Sequence, residues 1–84
     1  MSYYVYIARC ADGTLYTGLT TDLTAREESH NSGLGAKYTR SRRPIEVVYS
    51  ESFPDRSTAS RREYEIKQLS RERKLRIIDI HASP

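Results

Sequence analysis

The sequence is short of cysteine, tryptophan and long apolar runs, containing one cysteine and no tryptophan. A lone cysteine excludes an internal disulfide, and the place of Cys10 in an apolar stretch predicts a buried thiol. No stretch approaches the roughly 20 apolar residues that a membrane helix needs. Met1-Ser2-Tyr3 is unlike the start of a signal peptide. We therefore expect a cytoplasmic protein with no membrane partner.

The chain has 84 residues, which leaves room for one hydrophobic core, so residues 1–84 are predicted to form a single domain. Its 14 basic residues outnumber 11 acidic ones and give a formal net charge of +3. Only three of the 14 are lysines, and the others are arginines. A planar guanidinium matches phosphate geometry better than a compact ammonium does. The excess of arginine therefore favours a nucleic acid as the partner.

A β-hairpin is predicted at the N-terminus. The β-branched and aromatic run Tyr3–Cys10 is typical of a strand, and Asp12-Gly13 is a turn signal. Leu15–Leu19 then resumes extended structure.

The length of the turn determines the register of this hairpin. A three-residue loop, from Ala11 to Gly13, pairs Ala8 with Tyr16. One face then carries the aliphatic side chains of Val5, Ile7, Leu15 and Leu19. Tyr6 and Tyr16 share the opposite face as diagonal neighbours, within reach of a common target. A two-residue loop would scatter the aliphatic side chains over both faces.

The rest of the chain predicts three helices and a third strand. In order, these are a helix over Leu23–Asn31 capped by Thr21 or Asp22, a loop over residues 32–44, a strand over Ile45–Glu51, a helix capped by Ser57 or Thr58 that runs to about Leu69, and a short helix over Leu75–Ile80. The order ββαβαα predicts an α+β fold in which helices flank a three-stranded antiparallel sheet.

Two tripeptides on the hairpin, Tyr4-Val5-Tyr6 and Tyr16-Thr17-Gly18, resemble the elements that name the GIY-YIG nuclease superfamily. The likeness continues in order through Asp22-Leu23, Arg26, His30-Asn31, Gly33, Gly35–Arg40 and Arg62–Lys67. The likeness spans essentially the whole chain. The chain most resembles the small single-domain bacterial branch of that superfamily. Glu27 departs from the pattern, because related sequences usually carry an apolar residue there.

This resemblance implies a catalytic group made of Tyr6, Tyr16, Arg26 and His30. The tyrosines would orient or deprotonate the attacking water, and Arg26 would contact the scissile phosphate. His30 would either take part in proton transfer or have a structural role. From the residues alone, the tyrosines are packing residues and the helix carries a solvated Asp22–Arg26 pair.

The resemblance also assigns structural and metal-binding residues. Gly18 and Asn31 would be structural residues of the motif, and Glu63 would bind one Mg²⁺ or Mn²⁺ ion. Helical spacing places Glu63 on the inward side of its helix, where a carboxylate needs a cation or a partner. An ion pair with Lys67 is the alternative, and Glu65 remains a possible substitute ligand because the spacing is one residue short.

A basic loop follows the first predicted helix. It contains Lys37, Tyr38, Arg40, Arg42 and Arg43, with no acid between Glu28 and Glu46. Basic residues interleaved with an aromatic suit contacts with a nucleic-acid backbone and a stacked base. A second basic run, formed by Arg71, Arg73, Lys74 and Arg76, is predicted to be merely solvated.

Together these features predict a metal-dependent endonuclease that hydrolyses phosphodiester bonds, selects its substrate by structure and works in DNA repair or processing. DNA is the leading partner and RNA the alternative. The favoured oligomeric state is a monomer. Two other hypotheses remain open: a nucleic-acid-binding module of the same fold without cleavage, and a structural adaptor of a larger complex.

Overall fold

The computed structural model describes residues 2–82. Its elements in chain order are β1 (Tyr3–Arg9), β2 (Leu15–Thr20), α1 (Leu23–Asn31), α2 (Lys37–Arg40), β3 (Glu46–Phe53), α3 (Arg56–Lys67) and α4 (Arg71–Ala82). The predicted α+β fold, with helices flanking a three-stranded antiparallel sheet, is confirmed. Within residues 2–82, no helix combines the length and apolar character needed to cross a membrane.

Strand β1 lies in the middle of the sheet and pairs antiparallel with β2 and β3. Ala8 lies opposite Tyr16, so the register predicted from a three-residue loop is confirmed. The turn closes with the Cys10 N–H donating to the Thr14 carbonyl at 2.9 Å. Gly13 has a φ of 85°, a left-handed conformation that only glycine adopts without steric cost.

The two faces of the sheet bury different side chains, as the register predicts. One face buries Val5, Ile7, Ala59, Ile66 and Ile78, the last three from α3 and α4. The other buries Tyr6, Ala8, Cys10 and Ile45, with Tyr16 and Leu23 packed against them. The predicted burial of the Cys10 thiol is therefore confirmed. Tyr6 and Tyr16 lie on the face covered by α1, whereas α3 lies on the opposite face.

The helices differ from the prediction at several ends. The cap predicted at Ser57 or Thr58 is wrong, because the Asp55 carboxylate accepts the Thr58 N–H at 2.8 Å and caps α3. Asp55 stands three residues before the N–H that it binds, which is the spacing a capping side chain needs. Helix α3 ends at Lys67, two residues before the predicted end.

Two segments are helical where the sequence predicts no helix, one in the predicted loop and one in the second basic run. Residues 32–44 contain the short helix α2, in which the Thr39 hydroxyl donates to the Ala36 carbonyl at 2.9 Å. Helix α4 begins at Arg71 rather than Leu75. Its first turn consists of good helix formers, and the Ser70 hydroxyl accepts the Arg73 N–H at 3.3 Å.

Helix α1 is fixed to its surroundings by polar side chains. Asp22 caps it by accepting the Ala25 N–H at 3.0 Å, which confirms one of the two predicted caps. Glu27, the acid that departs from the family pattern, accepts the Val47 N–H at 2.7 Å. Val47 lies where the register between β1 and β3 shifts, so this carboxylate supports an irregular part of the strand.

Asn31 connects the end of α1 to the start of β3. Its amide donates to the Ile45 carbonyl at 2.9 Å and accepts the Ile45 N–H at 2.6 Å. Two opposed bonds to one residue leave little freedom for either segment. Asn31 thereby helps to set the position of the helix that carries Arg26 and His30.

Candidate active site

Tyr6 forms the centre of a polar group between β1 and α1. Its side chain is fully buried, and its ring lies directly over Gly18 of β2. A Cβ atom at Gly18 would stand 2.6 Å from Cζ of Tyr6, closer than any carbon contact allows. The glycine of the YIG-like element therefore provides the space in which the Tyr6 hydroxyl reaches α1.

The hydroxyl of Tyr6 contacts both Arg26 and His30. His30 Nε2 lies 2.9 Å from it, and Arg26 Nε donates to it at 3.4 Å. The two α1 residues reach the same atom because they are four positions apart and share a helix face. The predicted group of Tyr6, Arg26 and His30 is therefore brought together around one oxygen atom.

Thr39 determines the direction of the hydrogen bonds in this group. Its hydroxyl lies 2.8 Å from His30 Nδ1 and donates its single proton to the Ala36 carbonyl. In this arrangement His30 Nδ1 carries a proton and donates it to Thr39. His30 Nε2 is then the acceptor, and the Tyr6 hydroxyl donates to it. The chain of bonds points the Tyr6 proton at a neutral imidazole.

Burial and charge shift the pKa values of all three groups. Burial raises the pKa of Tyr6, and the neighbouring Arg26 opposes this rise only in part. Burial, followed by the charge of Arg26, lowers the pKa of His30. The hydrogen bond with Tyr6 raises the pKa of Arg26. At neutral pH the group therefore holds a protonated phenol, a neutral imidazole and a charged guanidinium.

Acid is expected to destabilise the fold through His30. Its pKa in the folded chain lies below the usual 6.5, so the unfolded chain binds more protons between these two values. The contribution of His30 to the free energy of unfolding is complete above about pH 6.5 and falls as the pH drops towards the folded-state pKa. Urea denaturation at a series of pH values measures this slope.

The matched control for this experiment is His81, an exposed histidine on α4. His30→Gln should flatten the decline of stability with falling pH, whereas His81→Gln should leave it as in the wild type. A wild-type slope that survives in His30→Gln would contradict the assignment of the acid sensitivity to His30.

Tyr16 is the tyrosine of the site that solvent reaches. It is partly exposed, whereas Tyr6 is fully buried. Its ring centroid lies 6.4 Å from that of Tyr6 and 5.4 Å from that of His30. The Tyr16 hydroxyl also helps to raise the pKa of Arg26, so it lies beside the same guanidinium. The two tyrosines differ in exposure but share Arg26.

Glu63 lies on α3, on the other side of the sheet from this hydrogen-bonded group. Its carboxylate pairs with Lys67 at 3.3 Å, and its side chain is 24% exposed. The ion-pair alternative predicted from the sequence is therefore present. Glu63 is also among the charges that raise the pKa of Tyr6, so its field reaches the site.

Glu65, the possible substitute, points elsewhere. It is 54% exposed and pairs with Arg62 at 3.4 Å. Arg62 also binds Glu51 of β3 at 3.0 Å. Within residues 2–82, no three His, Cys, Asp or Glu side chains form a metal-binding group. An ion at Glu63 would thus take most of its ligands from water and substrate, which suits Mg²⁺.

The basic loop is partly used by the fold itself. Arg42 pairs with Asp12 at 3.1 Å and lies over the Tyr38 ring, 3.9 Å from its centroid. Arg43 donates to the carbonyl groups of Arg40 at 2.9 Å and Asn31 at 3.2 Å. Both arginines therefore hold the loop in shape.

Three other residues of the loop differ in their freedom. Lys37 and Arg40 are exposed, and residues 2–82 offer their side chains no ion pair. Tyr38 stacks near Tyr16, with ring centroids 6.0 Å apart and planes inclined by 25°. Tyr16 and Arg42 thus already pack against the ring on which a base was predicted to stack. The loop thus offers two free cations and a ring that already has neighbours.

Two residues that shape the site, Thr39 and Gly35, were not among the predicted site residues. Thr39 is fully buried and orients His30, although its type and its place in a predicted loop suggest no such role. At Gly35, a Cβ atom would lie 2.8 Å from the His30 Cα. Only glycine at position 35 lets the loop pack against the histidine. Both residues fall in the stretch that resembles the family, and that was the available signal.

Comparisons with known proteins identify the family of this chain. The sequence profile of the GIY-YIG catalytic domain matches residues 2–76. A UPF0213 protein of Staphylococcus haemolyticus is 56% identical over 77 residues, covering 92% of this chain and 94% of that protein. A UPF0213 protein of Staphylococcus aureus is 54% identical with the same coverage.

Solved structures share the fold. The solution NMR structure of a UPF0213 protein from Bacillus halodurans is 48% identical, with a TM-score of 0.64, and the match covers 100% of this chain and 89% of that chain. The solution NMR structure of a protein from E. faecalis is 38% identical, with a TM-score of 0.64 and coverage of 100% and 91%. The chain therefore belongs to the GIY-YIG family and is similar, over most of its length, to the small bacterial UPF0213 proteins.

Proposed function

We propose that this protein is a metal-dependent endonuclease that hydrolyses phosphodiester bonds in nucleic acid. The observation that carries the proposal is that the Tyr6 hydroxyl contacts both Arg26 and His30, with the Tyr16 ring beside those of Tyr6 and His30. GIY-YIG domains are typically endonucleases, and family membership supports the same activity here. A guanidinium bound to the Tyr6 hydroxyl suits chemistry in which negative charge grows on a phosphate.

Arg26 binds the scissile phosphate. Its Nε is engaged by the Tyr6 hydroxyl at 3.4 Å, so the two Nη groups can face the substrate oxygens. The guanidinium stays charged because its hydrogen bond with Tyr6 raises its pKa further. Charge that accumulates on the phosphate in the transition state is therefore met by a cation already in place.

Tyr16 orients the attacking water and takes its proton. It is the partly exposed phenol of the site, so water and substrate reach it without any change in the core. Only the phenolate form of a tyrosine takes a proton from water, so this step needs a cation nearby, and Arg26 belongs to the same group of side chains. Tyr6 is less available as a base, since burial raises its pKa and so disfavours its phenolate, and its proton is directed at His30.

Tyr6, His30 and Thr39 act as positioning residues. Thr39 fixes the tautomer of His30, His30 accepts from Tyr6, and Tyr6 accepts from Arg26. Each member thus restricts the next, and the chain ends at the guanidinium that binds phosphate. Such a preorganised arrangement lowers the cost of reorganisation during the reaction.

Glu63 holds one divalent ion, Mg²⁺ or Mn²⁺. Its hard carboxylate oxygens and partial exposure fit an ion that keeps much of its hydration. When bound, the ion would supply Lewis-acid stabilisation of the leaving oxygen. Lys67 must release the carboxylate for this to happen, and its half-exposed side chain can do so without disturbing the core.

The substrate is DNA in the first instance, recognised by its structure. Lys37 and Arg40 offer exposed contacts for phosphates on either side of the cut, and such contacts carry no base sequence. A role in DNA repair or processing follows from this preference for structure. RNA is the alternative substrate.

Incubation with labelled nucleic acids tests the proposal. Purified protein is mixed with branched, flapped and single-stranded DNA and with matching RNA, in Mg²⁺ or in a chelator, and the products are separated on a denaturing gel. We expect cleavage of a structured DNA in Mg²⁺, and none above the protein-free control in chelator. Salt-dependent binding without cleavage in any metal would favour a non-catalytic binding module and overturn the enzyme.

A further inference from the structure

The second basic run does not lie on one solvated surface. Arg71 and Lys74 line a cavity of about 220 Å³ together with Thr14, Leu15 and Tyr38. The other two residues of the run, Arg73 and Arg76, are exposed and do not line it. The cavity lies between the hairpin turn and the first turns of α4. The structure thus divides the run into two cations that face the hairpin and two that face solvent.

Lys74 is a partly buried cation with no carboxylate partner among residues 2–82. Burial, and then repulsion by Lys67, lowers its pKa. Asp12 of the hairpin turn pairs with Arg42, and Glu63 of α3 pairs with Lys67. A half-buried ammonium beside a second cation is unfavourable unless an anion joins it. The cavity is therefore short of one negative charge.

Arg71 provides a fixed edge to the cavity. Its Nη1 donates to the Gly13 carbonyl at 2.7 Å, which ties α4 to the hairpin turn. One bond to a backbone carbonyl leaves most of the guanidinium donors available. A cation held in place by the fold binds an anion at lower entropic cost than a mobile surface arginine.

The cavity is continuous with the candidate active site through Tyr38. This ring lines the cavity and also lies nearly parallel to Tyr16. Lys74 and Arg71 therefore flank the site from the side of the hairpin turn, whereas Lys37 and Arg40 belong to the basic loop. From this juxtaposition we propose that Arg71 and Lys74 form a phosphate subsite, which holds a backbone phosphate of the bound nucleic acid away from the scissile bond.

This inference rests on the proposed function, because it takes its phosphate from a nucleic acid. The test is a salt titration of oligonucleotide binding in chelator, followed by fluorescence anisotropy, for the wild type and three variants. Lys74→Gln removes the proposed contact, and Lys74→Arg retains the charge. Arg73→Gln is the matched control, since it removes one charge from the neighbouring position of the same helix.

Lys74→Gln is expected to make the slope of log K against log salt shallower by about 0.9, the amount that one phosphate contact contributes. At about 0.1 M salt, losing one contact corresponds to roughly five- to tenfold weaker binding. Lys74→Arg should retain the wild-type slope, and Arg73→Gln should change the affinity less than twofold or so. The rescue by arginine separates a lost contact from a misfolded variant.

Equal slopes for Lys74→Gln and Arg73→Gln would overturn the subsite while leaving the proposed nuclease intact. If Lys74→Gln shows a shallower salt dependence of binding while the wild type binds nucleic acid but never cuts it, the subsite would be supported and the nuclease overturned. Inorganic phosphate, titrated into labelled protein and followed by NMR at Thr14 and Leu15, distinguishes the source of the anion. The proposal would also be overturned if free phosphate saturates the NMR shifts at Thr14 and Leu15 while Lys74→Gln leaves the affinity for the oligonucleotide unchanged.

Discussion

Arg26→Ala is expected to slow cleavage by about 10²–10³-fold at saturating substrate, because it removes the cation that meets charge on the scissile phosphate. The same change removes the hydrogen bond that Arg26 Nε donates to the Tyr6 hydroxyl at 3.4 Å. It also removes the positive charge that interacts with Tyr16. Any phenolate at the site then loses its stabilising neighbour. Three functions of one side chain fail together, so the effect should exceed that of losing a simple surface contact.

The effect should lie in turnover rather than in folding. Arg26 is only partly buried and makes one long hydrogen bond to a neutral group, so its loss should cost about 1 kcal/mol of unfolding free energy. Single-turnover cleavage measures the rate, and thermal denaturation measures the stability. Arg26→Lys retains the charge but not the guanidinium fork, and we expect it to recover only part of the rate.

Arg61→Ala is the matched control, since Arg61 is an exposed arginine on α3. It lowers the net charge by the same amount and should leave the rate within a factor of about two. If Arg26→Ala and Arg61→Ala cut equally fast, the convergence of side chains around Arg26 would have no catalytic meaning. The tyrosine-based mechanism would then have to be abandoned.

The hairpin and its register followed from the sequence because they depend on local rules. Loop length and alternation are properties of neighbouring residues, and they placed Tyr6 and Tyr16 on one face. The i, i+4 spacing of Arg26 and His30 was equally local. The meeting of these two pairs was implied only by the family resemblance, and the structure brings them together.

The long-range parts of the site could not be predicted in this way. Which ring nitrogen of His30 carries the proton depends on Thr39, nine residues away in a segment predicted as loop. Whether a basic residue is free depends on which acid the fold brings near it: Arg42 meets Asp12, 30 positions away, but Lys74 meets none within residues 2–82. Composition counts such charges, and only the tertiary structure decides which of them are neutralised.

Glu63→Gln is expected to lower metal-dependent cleavage by at least about 100-fold, whereas Glu65→Gln should leave it nearly unchanged. Glu63 lies on the inward side of α3, and its charge reaches Tyr6. Glu65 is 54% exposed and is turned towards Arg62, which is bound to Glu51. The two variants carry the same charge change on the same helix, so they separate position from charge.

Binding and metal contact distinguish Glu63 further. In chelator, Glu63→Gln should bind nucleic acid at least as tightly as the wild type, because it removes a negative charge from a protein whose ligand is a polyanion. Paramagnetic Mn²⁺ should broaden the NMR signals around residue 63 in the wild type and in Glu65→Gln, but not in Glu63→Gln. If broadening instead follows Glu65, or if Glu63→Gln cuts as fast as the wild type, the carboxylate of Glu63 serves only its ion pair with Lys67.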